Sequence, residues 1–297
     1  MGADGGRGGA KALVLGSAAL AAVFCASPSR ALDNAALDAA ARAEEAAPAR
    51  VGAAVIDTGD GARWSYRGDE RFPLDSTHKA FACAALLARV DRGEASLETR
   101  VVISAGDLVE YSPITQGHVA PGSMSLADLC AAALGVSDNT AANCVLAALG
   151  GPGGVTRFLR WLGDASSRLD RTEPTLNESA PGDPRDTTTP AAAVADLQKL
   201  LLGDALKAAS RERLTQWMAD DKVAGPLLRA ALPAGWRIAD KSGAGGHGSR
   251  GVVAVIWPPG RAPVVVAIYL AETTASLDAR NAAIARIGAA LVAALGK

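Results

Sequence analysis

A chain of 297 residues is long enough for one large domain or for two lobes that enclose a cleft. Hydrophobic residues make up 49% and charged residues 21% of the chain, a balance that excludes disordered and fibrous proteins. The formal net charge of −1 excludes a strongly basic surface of the kind that binds nucleic acid.

The first 31 residues have the pattern of a secretory leader, or signal peptide. Arg7 and Lys11 precede an apolar run at residues 12–24, and small residues at 29–31 fit a signal peptidase site. A membrane anchor is the alternative, but the run is shorter than the roughly 20 residues that a spanning helix needs. A lipoprotein signal ending at Cys25 fits poorly because the two residues before it are large. We therefore expect a secreted, periplasmic, monomeric protein that is free of the membrane once the leader is removed.

The mature chain opens with a helix and a hairpin. Residues 32–49 combine helix-forming residues with periodic apolar positions, and Pro48 ends the pattern. Residues 51–57 and 63–67 have strand patterns, and the turn-forming residues 58–61 between them predict that the two strands pair.

The middle of the chain, from residue 76 to about 210, has an almost wholly helical pattern. Helices are expected at residues 76–90, 125–134, 140–149, 155–162 and 189–202. Residues 163–188 lack periodicity and are rich in proline and glycine, so they predict a long loop, which in a compact domain is usually functional. Arg171 and Asp186, near its two ends, can pair to close it.

Three strands and a helix close the chain. After two further helical stretches, strands are expected at residues 236–241, 251–257 and 264–270, and a helix at 277–295. Because strand patterns occur at both ends of the chain, we expect an α/β fold. Its antiparallel sheet is flanked by the N- and C-terminal helices, and an all-helical lobe is inserted between its halves.

This fold class implies a discontinuous α/β lobe made of residues 32–68 and 217–297. The all-helical lobe then spans residues 69–216 and includes the long loop. The cleft between the two lobes is the expected position of a functional site.

Ser76 and Lys79 place a hydroxyl and an amine three residues apart. If Ser76 opens a helix, the two side chains lie on one face, and a buried amine with a lowered pKa can serve as the base for a serine nucleophile. A helix cap with a surface lysine is the alternative, and this pair alone does not decide between the two.

Three further clusters combine polar groups that suit catalysis. Residues 137–139 read Ser-Asp-Asn between two helices, residues 241–243 read Lys-Ser-Gly at a strand end, and Glu173 and Asn177 lie in the long loop. A lysine and a hydroxyl at a strand end can bind a carboxylate, and a glutamate over a cleft can activate water. A helix N-cap, a solvated strand end and a solvated glutamate are the respective alternatives.

Other chemistries lack their motifs. His78, His118 and His247 are scattered without zinc-site spacing, and no G-x-S-x-G sequence is present. Residues 243–248 match G-x-G-x-x-G, but a strand follows them where a dinucleotide site needs a helix, so we expect a β-turn. No metal or other cofactor is expected.

The four clusters, in this order and at these separations, resemble the signature set of class A serine β-lactamases. The resemblance runs from about residue 32 to 295 and includes residues 221–229 and 233–236, which are similar to TEM-type enzymes. It implies hydrolysis of penicillins and cephalosporins through an acyl-enzyme, and thereby antibiotic resistance.

The resemblance also implies a role for each matched residue. Ser76 is the expected nucleophile, and Lys79, or Glu173 acting through water, is the acylation base. Ser137 relays a proton to the departing lactam nitrogen, and Glu173 with Asn177 positions the deacylating water.

The expected substrate-binding residues follow in the same way. The backbone N–H groups of Ser76 and Ala244 form an oxyanion hole, and Asn139 binds the side-chain amide of the substrate. The remaining members of the expected binding set are Lys241, Ser242 and Arg250, which hold the substrate carboxylate, together with Gly243 and Tyr111.

Three cysteines remain after the leader, and spacing alone does not say which two pair. The resemblance to TEM-type enzymes implies a Cys83–Cys130 disulfide and a free Cys144. Asp75 and Gly245 stand where carbapenem-hydrolysing relatives have a cysteine pair, which argues against carbapenem hydrolysis. Asp75 also replaces the apolar residue common in TEM-type enzymes, and the sequence offers no physical account of it.

Two alternative functions share the serine–lysine chemistry. A penicillin-binding D,D-peptidase would retain its acyl-enzyme because it lacks a water-activating glutamate such as Glu173. A β-lactam receptor would bind covalently and signal, but it would be tethered to a membrane and to a downstream domain.

Overall fold

The structure is a computed structural model that describes residues 1–6, 32–46 and 49–296. The apolar run and the cleavage site of the predicted leader lie outside the described residues, as does Pro48. None of the described helices is both long enough and apolar enough to cross a membrane.

Nine strands are present in the described residues. They are β1 (Arg50–Asp57), β2 (Arg63–Tyr66), β3 (Phe72–Pro73), β4 (Arg100–Val102), β5 (Ser123–Ser125), β6 (Thr187–Thr188), β7 (Arg237–Ala244), β8 (Arg250–Trp257) and β9 (Val264–Ala271). Five of them form an antiparallel sheet in the order β2-β1-β9-β8-β7, and the others form the two-stranded ribbons β3-β6 and β4-β5. The N-terminal and C-terminal strands therefore share one sheet, as the sequence predicts.

The described residues contain eight α-helices. They are α1 (Asn34–Ala46), α2 (His78–Asp91), α3 (Leu126–Gly135), α4 (Asn139–Ala148), α5 (Pro152–Trp161), α6 (Pro190–Leu201), α7 (Ala208–Ala219) and α8 (Leu277–Leu295). Short 3-10 turns complete the chain, and Asp75–Thr77 and Thr175–Glu178 are the two that matter for the site.

The two faces of the sheet bury separate apolar clusters. One face packs against α1 and α8 and buries residues such as Leu37, Val266 and Ile284. The other face packs against α6 and the central helices, and its cluster includes Val265 and Val194. All eight residues of β9 are buried, which is why this strand has a continuous apolar pattern instead of an alternating one.

Helix α2 runs through the centre of the helical region, where it contacts α3, α4, α5 and α7. Its residues from His78 to Ala88 are all buried, which explains its unbroken run of small and apolar side chains. The disulfide between Cys83 on α2 and Cys130 on α3 confirms the predicted pairing, with 5.8 Å between the Cα atoms, and Cys144 is free.

The predicted fold class is confirmed, with three differences in detail. The middle region, predicted to be almost wholly helical, also contains the short strands β4, β5 and β6, which at two or three residues are too short to give a periodic signal. Strand β7 continues to Ala244, three residues past its predicted end, because its small last residues still pair with β8. The predicted helix 76–90 begins as the 3-10 turn and becomes α-helical at His78.

A buried carboxyl group on α6 gives a prediction for stability. Burial, together with the negative charge of nearby Asp164, raises the pKa of Asp196 from 3.8 to about 8. Between these two pH values the folded protein binds a proton that the unfolded chain releases, so the free energy of unfolding falls as pH rises from about 4 to about 8.

We therefore expect Asp196→Asn to raise the free energy of unfolding at pH 8.5 by at least about 1.4 kcal/mol, the equivalent of one pKa unit. The gain should shrink at pH 5. Urea unfolding at both pH values measures it, with exposed Asp204→Asn as the control. An Asp196→Asn variant with the same pH dependence as the wild type would contradict this assignment.

Candidate active site

The predicted site residues meet at one cleft of about 670 Å³ between β7 and the helical region. The predicted residues that line it are Ser76, Tyr111, Ser137, Asn139, Asn177, Ser242, Gly243, Ala244 and Arg250. The other predicted residues, Lys79, Glu173 and Lys241, have side chains with no exposed surface. Tyr111 is 56% exposed, at the mouth of the cleft.

Ser76 and Lys79 are brought together by the start of α2. Ser76 lies in the 3-10 turn that leads into the helix, and Lys79 Nζ donates to Ser76 Oγ at 2.9 Å. The interpretation of this pair as a helix cap with a surface lysine is wrong, because Lys79 is fully buried and no side chain caps α2.

The start of α4 supplies the acceptors for the buried amine. Lys79 Nζ donates to the Ser137 carbonyl oxygen at 2.9 Å and to Asn139 Oδ1 at 2.6 Å, and it lies 3.2 Å from Ser137 Oγ. Asp138 faces the other way and caps α4 by accepting from the backbone N–H of Ala141. The Ser-Asp-Asn sequence therefore both caps a helix and builds the site.

The long loop brings a carboxylate to the same amine. Glu173 Oε1 lies 3.0 Å from Lys79 Nζ, and Glu173 Oε2 accepts a hydrogen bond from the side-chain amide of Asn177. Asn143 on α4 holds the backbone of Glu173 with two hydrogen bonds of 2.9 Å, one to its N–H and one to its carbonyl. The predicted alternative, a solvated glutamate, is wrong.

The proximity of these two charges and their burial shift both pKa values. Burial lowers the pKa of Lys79 to about 8, although the Glu173 carboxylate opposes this shift. Burial raises the pKa of Glu173, but the Lys79 ammonium and hydrogen bonds outweigh it, so its pKa lies below the ordinary value. At neutral pH the pair is therefore mainly ionic, and the lowered pKa of Lys79 makes its neutral amine easier to form.

The opposite wall of the cleft is cationic. Lys241 on β7 is fully buried, and its Nζ lies 3.6 Å from Asp221 Oδ2. Arg250 on β8 is held by Asn281 Oδ1 at 2.8 Å and by the Gly243 carbonyl at 2.9 Å. Two cations beside one cleft favour an anionic ligand group, and the alternative of a solvated strand end is wrong for Lys241.

Gly243 allows β7 to pass directly against the turn that carries Ser76. A Cβ atom at this position would lie 2.9 Å from the Ser76 nitrogen and 3.0 Å from the Leu74 carbonyl oxygen. Any side chain there would push the strand away. The backbone N–H groups of Ser76 and Ala244 are thus carried by two segments in direct contact.

The predicted ion pair between Arg171 and Asp186 holds the two ends of the loop together. Arg171 Nε donates to Asp186 Oδ2 at 2.6 Å, and Asp186 also accepts from the backbone N–H groups of Asp170 and Arg171. Asp186 is 1% exposed, so its contacts are internal ones. These contacts fix both ends of the segment that carries Glu173.

Sequence reasoning missed Asn143 and the cleft-lining residues Glu110, Pro174, Val223, Gly246 and Leu277. Asn143 had a usable signal, because it lies four residues after Asn139 on α4 and therefore on the same helix face. The others come from turns, loops and, for Leu277, the start of α8, whose positions depend on the whole fold.

Comparisons with known proteins agree with this geometry. The β-lactamase enzyme family matches residues 33–295. The chain is 57% identical over 271 residues to β-lactamase AER-1 of Aeromonas hydrophila, covering 91% of this chain and 89% of the relative. The chain belongs to the β-lactamase enzyme family.

Solved class A structures show the same fold. The ancestral class A β-lactamase of the last common ancestor of Gram-negative bacteria is 55% identical, with a TM-score of 0.85 and coverage of 87% of this chain and 99% of the other. The chromosome-encoded β-lactamase of Vibrio parahaemolyticus is 46% identical, with a TM-score of 0.83 and coverage of 86% and 96%. The resemblance to class A β-lactamases is therefore confirmed over most of the chain.

The two hydrogen bonds from Asn143 give a prediction for this β-lactamase. Asn143→Ala removes both contacts to the Glu173 backbone, and a misplacement of about 1 Å costs an enzyme up to about 100-fold in rate. We expect kcat for a chromogenic cephalosporin to fall on the order of tenfold. Steady-state kinetics measure it, with exposed Gln116→Ala as the control. Unchanged kcat in Asn143→Ala would show that Glu173 is held by other contacts.

Proposed function

We propose that this class A β-lactamase opens the β-lactam amide of penicillins and cephalosporins through an ester on Ser76 and then hydrolyses that ester. The observation that carries the proposal is the position of Lys79 Nζ, 2.9 Å from Ser76 Oγ and 3.0 Å from Glu173 Oε1. One hydroxyl is thereby linked to both an amine and a carboxylate, which are the groups that two successive proton transfers need.

In acylation, Ser76 Oγ attacks the lactam carbonyl carbon and loses its proton. Lys79 can take this proton directly in its neutral form, and Glu173 can take it through a water molecule. The negative charge that develops on the carbonyl oxygen is stabilised by the backbone N–H groups of Ser76 and Ala244, a contribution of roughly 3 to 4 kcal/mol per donor in other hydrolases.

The second half of acylation breaks the carbon–nitrogen bond of the lactam. The departing nitrogen needs a proton, and Ser137 Oγ lies 3.2 Å from Lys79 Nζ at the cleft wall. Ser137 therefore relays a proton from Lys79 to the nitrogen. This leaves an ester between Ser76 and the opened substrate.

Substrate binding uses the two sides of the cleft. Ser242 and Arg250, which line the cleft, bind the carboxylate that penicillins and cephalosporins carry beside the lactam nitrogen, and the buried Lys241 adds its positive charge to this site. Across the cleft, Asn139 binds the side-chain amide of the substrate and Tyr111 flanks it at the entrance.

Deacylation needs a water molecule activated beside the ester. Glu173, held by Asn177, accepts a proton of that water as its oxygen attacks the ester carbon. The carbon–Oγ bond then breaks, the opened substrate leaves as a carboxylic acid, and the proton held by Glu173 passes to Ser76 Oγ to restore its hydroxyl. Release of the acyl group distinguishes a hydrolase from a penicillin-binding peptidase or a receptor, and it gives resistance to β-lactam antibiotics.

We also propose that the protein acts as a periplasmic monomer. The predicted leader supports export. The cationic wall of the cleft suits a small anionic substrate.

Replacing Glu173 separates the two chemical steps. In Glu173→Gln the deacylating base is lost, so we expect one acyl group to remain on Ser76 while the wild type turns over many equivalents of cephalosporin. Intact mass spectrometry during the reaction measures the bound acyl group, and Ser76→Ala is the control that takes none. A wild type that stops after one equivalent would contradict the proposed function, and a Glu173→Gln variant that turns over normally would contradict the role of Glu173.

A further inference from the structure

A buried carboxylate lies directly beneath the nucleophile. Asp75, the residue before Ser76, is 1% exposed, and its carboxylate accepts hydrogen bonds from Ser179 Oγ at 2.8 Å and Ser249 Oγ at 2.7 Å. We call these three residues the Asp75 clasp. None of them belongs to the catalytic set described above.

The clasp joins three segments that each carry part of the site. Asp75 belongs to the turn that holds Ser76, and Ser249 directly precedes β8. Ser179 ends the 3-10 turn that contains Asn177, the residue that holds the Glu173 carboxylate. The clasp is therefore a direct side-chain link between the nucleophile turn and the loop.

The clasp is tightly packed against the end of the cleft. A Cβ atom at Gly245 would lie 2.3 Å from Asp75 Oδ1 and 2.7 Å from both Ser179 Oγ and the Asn177 carbonyl oxygen. The neighbouring N–H of Gly246 donates to the same Asn177 carbonyl at 2.8 Å. Gly245 and Gly246 thus hold Asp75, Ser179 and the Asn177 carbonyl in one close-packed group.

Two residues of the clasp have a left-handed backbone conformation. Asp75 and Ser179 have φ angles of +43° and +56°, in the left-handed region that costs a non-glycine residue energy. The carbonyl of Asp75 is held as well, by His78 Nδ1 at 2.7 Å. Hydrogen bonds to the side chain and to the backbone thus fix the same residue.

We propose that Asp75 is a positioning residue, which through Ser179 sets the distance of Asn177 and Glu173 from Ser76 and is needed for deacylation more than for acylation. This inference rests on the proposed function, since it assigns a cause to one of its two steps. The contacts from Lys79 to Ser76 and Ser137 do not pass through the clasp, so we expect acylation with Lys79 as the base to be retained when the clasp is lost.

The charge of Asp75 makes the strength of the clasp depend on pH. Burial raises the pKa of Asp75 to about 6; the two serine hydroxyls and Arg250 oppose this rise, and the charge of Glu173 adds to it. The other titratable groups facing Asp75 are His78, bonded to its carbonyl, and Tyr269 on β9, whose own high pKa is raised further by the Asp75 charge. The carboxylate accepts both hydroxyls when it is ionised, so the clasp weakens as pH falls through about 6.

Single-turnover kinetics with a chromogenic cephalosporin test the proposal, with acylation and deacylation rates measured separately. We expect Ser179→Ala to lower the deacylation rate on the order of tenfold and to leave acylation unchanged. Thr175→Ala is the matched control, because the Thr175 hydroxyl lies in the same loop but donates to the loop's own backbone, at Thr172. This control should deacylate at the wild-type rate.

Asp75→Asn removes the negative charge of Asp75 but keeps a side chain of nearly the same size. Its amide accepts from one serine hydroxyl and donates to the other, as the protonated carboxyl of Asp75 would. We therefore expect this variant to deacylate at pH 7.5 at the reduced rate that the wild type reaches below pH 6, without a transition near pH 6. Equal deacylation rates in Ser179→Ala and Thr175→Ala would overturn the proposal, as would equal losses in both steps or a pH 6 transition that persists in Asp75→Asn. Failure of the proposed function looks different, because the wild type itself would keep its acyl group.

Discussion

The site depends on a buried pair of opposite charges, the Lys79 ammonium and the Glu173 carboxylate, 3.0 Å apart with no exposed surface on either side chain. Removing two charges from water costs several kcal/mol per ion, and their attraction offsets this cost only when further hydrogen bonds complete the pair. Asn139 and the Ser137 carbonyl do so for the amine, and Asn177 does so for the carboxylate. Every element that supplies one of these groups is thereby fixed in position.

Helices below the cleft and turns around it hold the groups that hydrogen-bond to this charge pair. Helices α2 and α4 hold Lys79 and its acceptors, and the edge strand β7 closes the other side. Asp75, Ser137 and Ser179 have φ angles of +43°, +62° and +56°, so each of the three segments that reach the charge pair contains at least one left-handed residue. Such strain persists where surrounding contacts over-determine the backbone, as the hydrogen bonds of the Asp75 clasp do.

Much of this could be predicted from the sequence, because long periodic segments and family motifs are local signals. They predict the sheet, the helices and the pairing of Arg171 with Asp186. They miss the end of β7 and the ribbons, because small residues and strands of two or three residues give no periodic pattern. They also miss the contacts of Asp75, because these join residues far apart in the sequence. Asp75 meets Ser179 and Ser249 across 104 and 174 residues, so only the folded chain gives a reason for a carboxylate there. The proposed division into lobes at residues 69 and 216 stays a prediction.

The ionisation of Lys79 is the most direct test of the charge pair. Its side-chain pKa can be followed by NMR in protein labelled with ¹³C at lysine Cε, and assigned with a Lys79→Arg variant. The account predicts a pKa of about 8 in the wild type and a lower one in Glu173→Gln, because the carboxylate is what favours the charged amine. A Lys79 pKa near the ordinary 10.5 in both proteins would contradict it, since such an amine would be solvated and uncoupled from Glu173.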